Sequence, residues 1–255
     1  MRILVTNDDG INAPGLKALR EIAAALGDEV WVVAPEINQS GAGHSLSLRE
    51  PLRMRKIEDR LFAVSGTPTD CVIMAVRKMM FDAPPDLVLS GVNLGQNLAE
   101  DVTYSGTIAA AFEGTNIGIK SIALSQAYGF RSRDNTDWRT CVQMAPGLIR
   151  SVLEETWAPG TLMNINFPDR GPDEVEGVRI TTQGKRDQNL LEIDERLDTW
   201  GSPYYWLGFQ RRLSKPPSDT DLWAIYNGYV SITPLSLNLT AHSMHEQLSQ
   251  RFPTP

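Results

Sequence analysis

Cysteine and histidine are scarce in this 255-residue chain, with two cysteines (Cys71 and Cys141) and three histidines (His44, His242 and His245). No Cys-x-x-Cys pair is present, so neither a zinc knuckle nor a disulfide framework is indicated; each cysteine falls in an apolar helical pattern and reads as a small core residue. His242 and His245 lack the i,i+4 spacing of a helical zinc motif. No apolar run is long enough to span a bilayer, and the first residues read as a strand rather than a signal peptide. Basic residues are also outnumbered, 24 Lys and Arg against 31 Asp and Glu, for a net charge of −7. Non-specific affinity for nucleic acid comes from cationic contacts to phosphate, so a nucleic-acid polymer is a poor partner. The G-x-G-x-x-G fingerprint, the Walker A lysine and the G-x-S-x-G elbow are missing too. What is left is a soluble, cytoplasmic, globular protein, and a hydrophobic content of 42% provides for a sizeable core.

What the chain does have is an alternation of strands and helices. Ile3, Leu4 and Val5 read as a buried strand, and Pro14-Gly15-Leu16 opens a helix whose Leu16, Leu19, Ala23 and Leu26 share a face. Strands are expected at 29–34, 86–90, 120–125, 162–167, 178–182 and 229–233, with short, perhaps antiparallel strands within 46–64. Helices are expected from Thr67 to about Met80, from Ser105 to about Gly118, around Trp138 to Val152, and at 220–227. Thr67-Pro68-Thr69-Asp70 carries the elements of a capping box. Such alternation implies an α/β fold, a doubly wound and mostly parallel sheet covered on both faces. From about Gly184 the character changes. Residues 185–221 are charged and aromatic, with Trp200, Tyr204, Tyr205, Trp206 and Phe209, and show no clear period. That cluster reads as local core, as an oligomer contact, or as a platform for a base.

Three polar clusters follow three of the expected parallel strands: Asn7-Asp8-Asp9-Gly10, Pro35 to Gly41, and Gly91 to Asn97. Ligands of open α/β sheets bind outside the carboxyl ends of the strands, so these loops can converge. Adjacent Asp8 and Asp9 repel each other unless a cation or strong donors hold both ionised. With Ser40 and Asn93 they would make an all-oxygen donor set suited to Mg²⁺, Mn²⁺ or Ca²⁺. Each residue also has a plainer reading: Asn-Asp-Asp-Gly is good turn chemistry, Ser40 a turn hydroxyl, Asn93 an Asx turn. Thr103 to Thr107 leads into a helix, whose free N–H groups suit phosphate, with Ser105 and Thr107 adding hydroxyls and Gly106 allowing close approach; the alternative is an ordinary N-cap. His44 shares the Ser40 loop and is read as a loop hydrogen-bonding residue.

Together these motifs resemble the SurE (survival protein E) family of metal-dependent nucleotidases. The matching segments are Asn7 to Gly15, Ala34 to Glu36 with Ser40 to Ser45, Gly66 to Cys71, Ser90 to Asn97, and Asp101 to Thr107. Ala109-Ala110, Glu113-Gly114, Asn164 to Pro168, Thr220-Asp221 and Val230 to Leu235 extend the match. The resemblance spans nearly the whole chain and is looser over 185–218. It implies a Rossmann-like three-layer catalytic domain over 1–184. A C-terminal extension over 185–255, with hairpin, helix and tail, would serve a homodimer or homotetramer. It implies hydrolysis of nucleoside 5′- and 3′-monophosphates, and of short polyphosphate, with one divalent cation per subunit, Mg²⁺ or Mn²⁺. The family's metal ligands map onto Asp8, Asp9, Ser40 and Asn93, and its phosphate pocket onto Asn97, Ser105, Gly106 and Thr107.

The expected chemistry is phosphomonoester hydrolysis. The metal would act as Lewis acid and would bind or orient the attacking water, and Asp8 or Asp9 would accept a proton from it. Two rivals stand beside it. One makes Asp8 a covalent nucleophile, although the acids are adjacent rather than one residue apart and no lysine partner follows the later strand. The other is a nucleotide- or metal-binding regulatory module without turnover, which fits the same oxygen-only site.

Overall fold

The computed structural model describes residues 1–129, 136–186, 191–209 and 215–252, with only the backbone for Leu191 and Phe209. It is an α/β molecule built on a nine-stranded sheet. In chain order the elements are β1 (Arg2–Thr6), α1 (Pro14–Ala24), β2 (Glu29–Pro35), β3 (Met54–Glu58), β4 (Leu61–Val64), α2 (Pro68–Met74) and β5 (Leu87–Leu94). Next come α3 (Gly106–Asn116), β6 (Lys120–Gln126), α4 (Arg139–Glu154), β7 (Thr161–Phe167) and β8 (Val178–Ile180). The chain continues through β9 (Leu191–Leu197), β10 (Pro203–Phe209), α5 (Asp221–Tyr226), β11 (Val230–Ser236) and α6 (His242–Arg251). No helix among the described residues is long and apolar enough to cross a membrane.

The sheet order is β3-β4-β2-β1-β5-β6-β7-β11-β8. Neighbours from β4 through to β7 are parallel, whereas β3 pairs antiparallel with β4 and β11 antiparallel with β7. Ile3, Leu4 and Val5 are fully buried, as expected of a parallel strand covered on both faces. Side chains alternate across the pleat. Ile3 and Val5 therefore join the core under α1 and α4, while Leu4 joins the opposite core, made with Cys71, Val72 and Val76 of the α2 region and Ala110 of α3.

Local chemistry accounts for the element starts. Pro14 occupies the first turn of α1, and at α2 the Thr67 side chain accepts from the Asp70 N–H while the Asp70 carboxylate accepts from the Thr67 N–H. Helix α3 is buried over most of its length, which its small residues permit. A Cβ on Gly114 would lie 2.4 Å from Ser121 Oγ, so glycine lets the helix lie close against the sheet.

One segment differs from expectation. The polar loop expected from Gly91 begins later, because β5 continues to Leu94 through a bulge between Ser90 and Asn93, after which Asn93 and Leu94 pair with Ser125 and Gln126. Residues 191–209, which show no clear period of their own, form the antiparallel hairpin β9–β10, the element that the resemblance implies for the extension. Its signal is an alternation, Leu191, Ile193 and Leu197 against Glu192, Asp194 and Arg196, diluted by acidic residues. Strand β11, within the 185–255 segment, returns to the main sheet between β7 and β8.

Candidate functional site

The strand order reverses between β1 and β5. From β1 the chain builds outward through β2 and β4, then crosses back to lay β5 on the other side of β1. A doubly wound sheet opens a crevice at this switch point, outside the carboxyl ends of its strands. The loops after β2, β1 and β5 are adjacent there, and they carry the three polar clusters singled out from sequence.

The turn after β1 separates the two readings of Asn-Asp-Asp-Gly. Asn7 Nδ2 donates to the Gly10 carbonyl at 2.9 Å and Gly10 takes φ +99°, so these two residues make the turn. Asp8 and Asp9 are left to point elsewhere. Asp8 is 4% exposed and faces the start of α3, where the Thr107 hydroxyl donates to its Oδ1 at 2.5 Å. Gly106 is required at that contact, since a Cβ there would lie 2.7 Å from Asp8 Cβ and 3.0 Å from Asp8 Oδ2. The carboxylate thus abuts the backbone of a helix N-terminus.

Asp9 is clamped from both flanking loops. Asn38 Nδ2 donates to its Oδ1 at 3.2 Å, and the Leu94 N–H donates to its Oδ2 at 3.2 Å. Asn38 also accepts the Ser40 N–H at 2.8 Å, so Ser40 is linked to Asp9 through a residue that sequence reading had passed over. The Gln39 N–H donates to the Asp8 carbonyl at 2.7 Å, stitching the same loop to the end of β1. Asn93 is re-aimed by the bulge in β5, a common use of such irregularities. Its Nδ2 is held by the Gly95 carbonyl at 2.8 Å, which leaves the amide oxygen as its side-chain acceptor.

The phosphate candidates divide into two groups. Ser105 caps α3, its Oγ accepting the Ile108 N–H at 3.1 Å, and Thr107 is engaged with Asp8. Asn97 sits further along, in a buried amide network at the ends of β6 and β7: its Nδ2 donates to Ser125 Oγ, its N–H to Asn166 Oδ1, and its carbonyl accepts from Asn164 and Asn166. His44 stacks on Phe112 and meets the mostly buried Glu113 at 3.0 Å, while the Gly43 N–H donates to the Tyr104 carbonyl. These contacts hold the Ser40 loop against α3, at the residue before its cap and again in its second half. Asn38 lies within the Pro35 to Gly41 cluster and Glu113 within the matching Glu113-Gly114 pair, but neither was a site candidate, since a loop asparagine and one acid in a helix are ordinary residues until the fold pairs them.

The electrostatics favour a cation. Burial pushes the Asp8 carboxyl up to about 6, the Thr107 hydroxyl opposes that, and the neighbouring Asp9 charge adds to it. Among the described residues there is no cluster of three or more His, Cys, Asp or Glu that could hold a metal. The fit therefore rests on two carboxylates supplemented by neutral oxygens, and Ser40 and Asn93 have that chemistry. A hard divalent ion suits such a set.

Comparison with known proteins concerns the chain as a whole. Residues 3–190 match the family model described as Survival protein SurE. The 5′-nucleotidase SurE of Parvibaculum lavamentivorans is 56% identical over 254 residues, covering 100% of this chain and 92% of that protein. That of Azorhizobium caulinodans is 57% identical over 252 residues, covering 99% of each. The crystal structure of the SurE protein from Aquifex aeolicus superposes with a TM-score of 0.85 at 41% identity, covering 99% of this chain and 100% of that one.

A carboxyl raised by burial binds its proton more tightly folded than unfolded, so the contribution of Asp8 to stability falls as pH rises from about 4 to 6. Asp8→Asn removes the penalty. In the presence of EDTA at pH 7 the variant should be more stable by on the order of 2–3 kcal/mol, with the difference fading toward pH 4. Urea unfolding at both pH values checks this; a destabilised variant at pH 7 contradicts it.

Proposed function

Since the chain belongs to the survival protein SurE family, we propose that it is a metal-dependent nucleotidase. It hydrolyses nucleoside 5′- and 3′-monophosphates to nucleoside and phosphate, and acts also on short polyphosphate. The observation that carries this reading is the contact of the Asp8 carboxylate with the N-terminus of α3, through Thr107 and across Gly106. It sets a cation-seeking group beside an anion-seeking one, as hydrolysis of a phosphate ester requires.

Asp8, Asp9, Ser40 and Asn93 are the residues that would hold one divalent cation, Mg²⁺ or Mn²⁺. When bound, such an ion supplies Lewis acidity toward a phosphoryl oxygen and lowers the pKa of water. Asn38 and the Leu94 N–H fix the Asp9 carboxylate, so little reorganisation accompanies reaction. The proton released by the attacking water goes to the Asp8–Asp9 pair. The N–H groups at the start of α3 and the Ser105 hydroxyl bind phosphoryl oxygens, Gly106 leaves room for that approach, and Thr107 couples the phosphate end to Asp8. Asn97 orients the ester from the far side, held by Ser125, Asn164 and Asn166. The reaction is assigned to the cytoplasm, in keeping with two free and buried cysteines.

We further propose that residues 1–184 form the catalytic unit and that the 185–255 extension makes a homodimer or homotetramer. The β9–β10 hairpin pairs only with itself among the described strands. It exposes Ile193, Leu197, Trp200, Tyr205, Trp206 and Leu207, and helix α6 buries no residue while exposing Met244 and Leu248, followed by exposed Phe252. A lone two-stranded hairpin is marginal in water, and apolar patches of this extent seek a partner surface.

Two outcomes are expected. Phosphate release from a panel of nucleoside monophosphates should cease in EDTA, return with Mn²⁺ or Mg²⁺, and be nearly abolished in Asp9→Asn; turnover by a metal-stripped sample, or its absence with every metal and nucleotide, sinks the reading. By light scattering, full-length protein should be oligomeric at micromolar concentration and should lose mass when residues 241–255 are removed and Trp206→Glu is introduced. A full-length monomer rules out the assembly.

A further inference from the structure

Asp221 is a fully buried carboxylate outside the set of cation candidates, and nothing in the hydrolysis above uses it. It stands at the start of α5 and accepts three backbone N–H groups: Gly184 at 2.9 Å and Leu222 at 2.7 Å on Oδ1, and Ala99 at 2.9 Å on Oδ2. The last of these reaches across the chain into the loop between β5 and α3. Ala99 is fully buried and takes φ +53°, the left-handed region that disfavours a residue with a Cβ. Its carbonyl is held as well, accepting from Gln183 Nε2 at 3.0 Å. Both polar groups of one strained residue are thus satisfied by side chains from the 183–221 region.

The strained residue lies between two phosphate candidates. Asn97 is two residues before it, and Ser105 closes the turn after it, its N–H donating to the Asp101 carbonyl. Asp101 is itself paired with Arg186 at 2.5 Å, and the Arg186 N–H donates to Glu100. The segment from 97 to 105 is therefore shaped from behind by Gln183, Arg186 and Asp221.

We infer that Asp221 is a positioning residue for substrate: by holding Ala99 in its left-handed conformation it sets the spacing between Asn97 and the N-terminus of α3. This rests on the nucleotidase reading. The chemistry predicts how a substitution acts. In Asp221→Asn the amide oxygen goes to the side with two donors, Gly184 and Leu222, and the NH₂ is turned against the Ala99 N–H. Only the Ala99 bond is lost outright, and the alanine strain is no longer opposed.

The test is steady-state phosphate release with a nucleoside monophosphate, alongside Mn²⁺ titration by EPR, for the wild type, Asp221→Asn, Gln183→Ala, and each combined with Ala99→Gly. Asp221→Asn should raise KM about tenfold, the effect of one hydrogen bond to a charged group. Mn²⁺ affinity should be unchanged. Glycine adopts the left-handed region freely, so Ala99→Gly should return KM to within about threefold of wild type, a recovery that general destabilisation would not show. Should Asp221→Asn fail to fold, the Gln183→Ala pair decides by the same criteria. An unchanged KM, or a raised KM that Ala99→Gly does not lower, overturns the inference. Absence of hydrolysis by the wild type overturns the nucleotidase reading instead, and the two failures are distinct.

Discussion

A buried carboxylate pressed against the first turn of a helix is the constraint on which the remainder of the site depends. Asp8 is taken out of water and set beside Asp9, and its hydrogen bond from Thr107 offsets only part of the cost. Such an arrangement survives when the surrounding fold is rigid enough to enforce it. Here the enforcing element is the parallel sheet. Ile3, Leu4 and Val5 are locked between two cores, so the chain direction at Thr6 is not adjustable, and α3 is held by its own burial. Gly106 is the concession that allows strand end and helix start to meet.

From that contact the loops follow in order. The Gln39 N–H reaches the Asp8 carbonyl, Asn38 spans Asp9 and the Ser40 amide, and Leu94 reaches Asp9 from the other side. Each bond is modest in strength, a net of about 0.5–1.5 kcal/mol between neutral partners and about 1.5–3 kcal/mol for those that end on the Asp9 carboxylate. Their value lies in geometry: three loops distant in sequence are tied to one carboxylate pair, and preorganised groups do not have to move as charge develops. The C-terminal segment contributes from behind, through Asp221, Gln183 and Arg186, and so β11 and α5 are joined to the site although they supply none of its proposed ligands.

Much of this was legible beforehand. Alternating apolar runs with capping and turn residues identified the strands and helices of the sheet, because burial on both faces of a parallel strand leaves a dense apolar signal at β1, β2, β5 and β6. Three polar loops at strand ends pointed to the switch point before any topology was known. What stayed hidden depended on distant partners. Thr107 reads as an additional hydroxyl at a helix start, and only the fold turns it toward Asp8. Glu113 and Asp221 stand out only through the resemblance, without a role attached to them, while Asn38 looks like a loop residue and Ala99 like any alanine. The bulge that re-aims Asn93 comes from pairing with β6, which local pattern does not encode. Hairpin β9–β10 was implied by the resemblance and not by local pattern, because its alternation is between apolar and mostly acidic residues, without a covered face to sharpen it.

The central claim is that the cation-seeking and phosphate-seeking halves of the site are one unit, joined at Asp8. Binding coupled through a shared contact is reciprocal, so each ligand must strengthen the other. The direct measurement is Mn²⁺ binding by EPR with and without inorganic phosphate, on wild type and on Thr107→Ala. One ion per chain is expected, bound about tenfold or more tightly when phosphate is present, with that gain reduced in the variant. Binding of Mn²⁺ that is indifferent to phosphate, or no binding at all, would contradict the account.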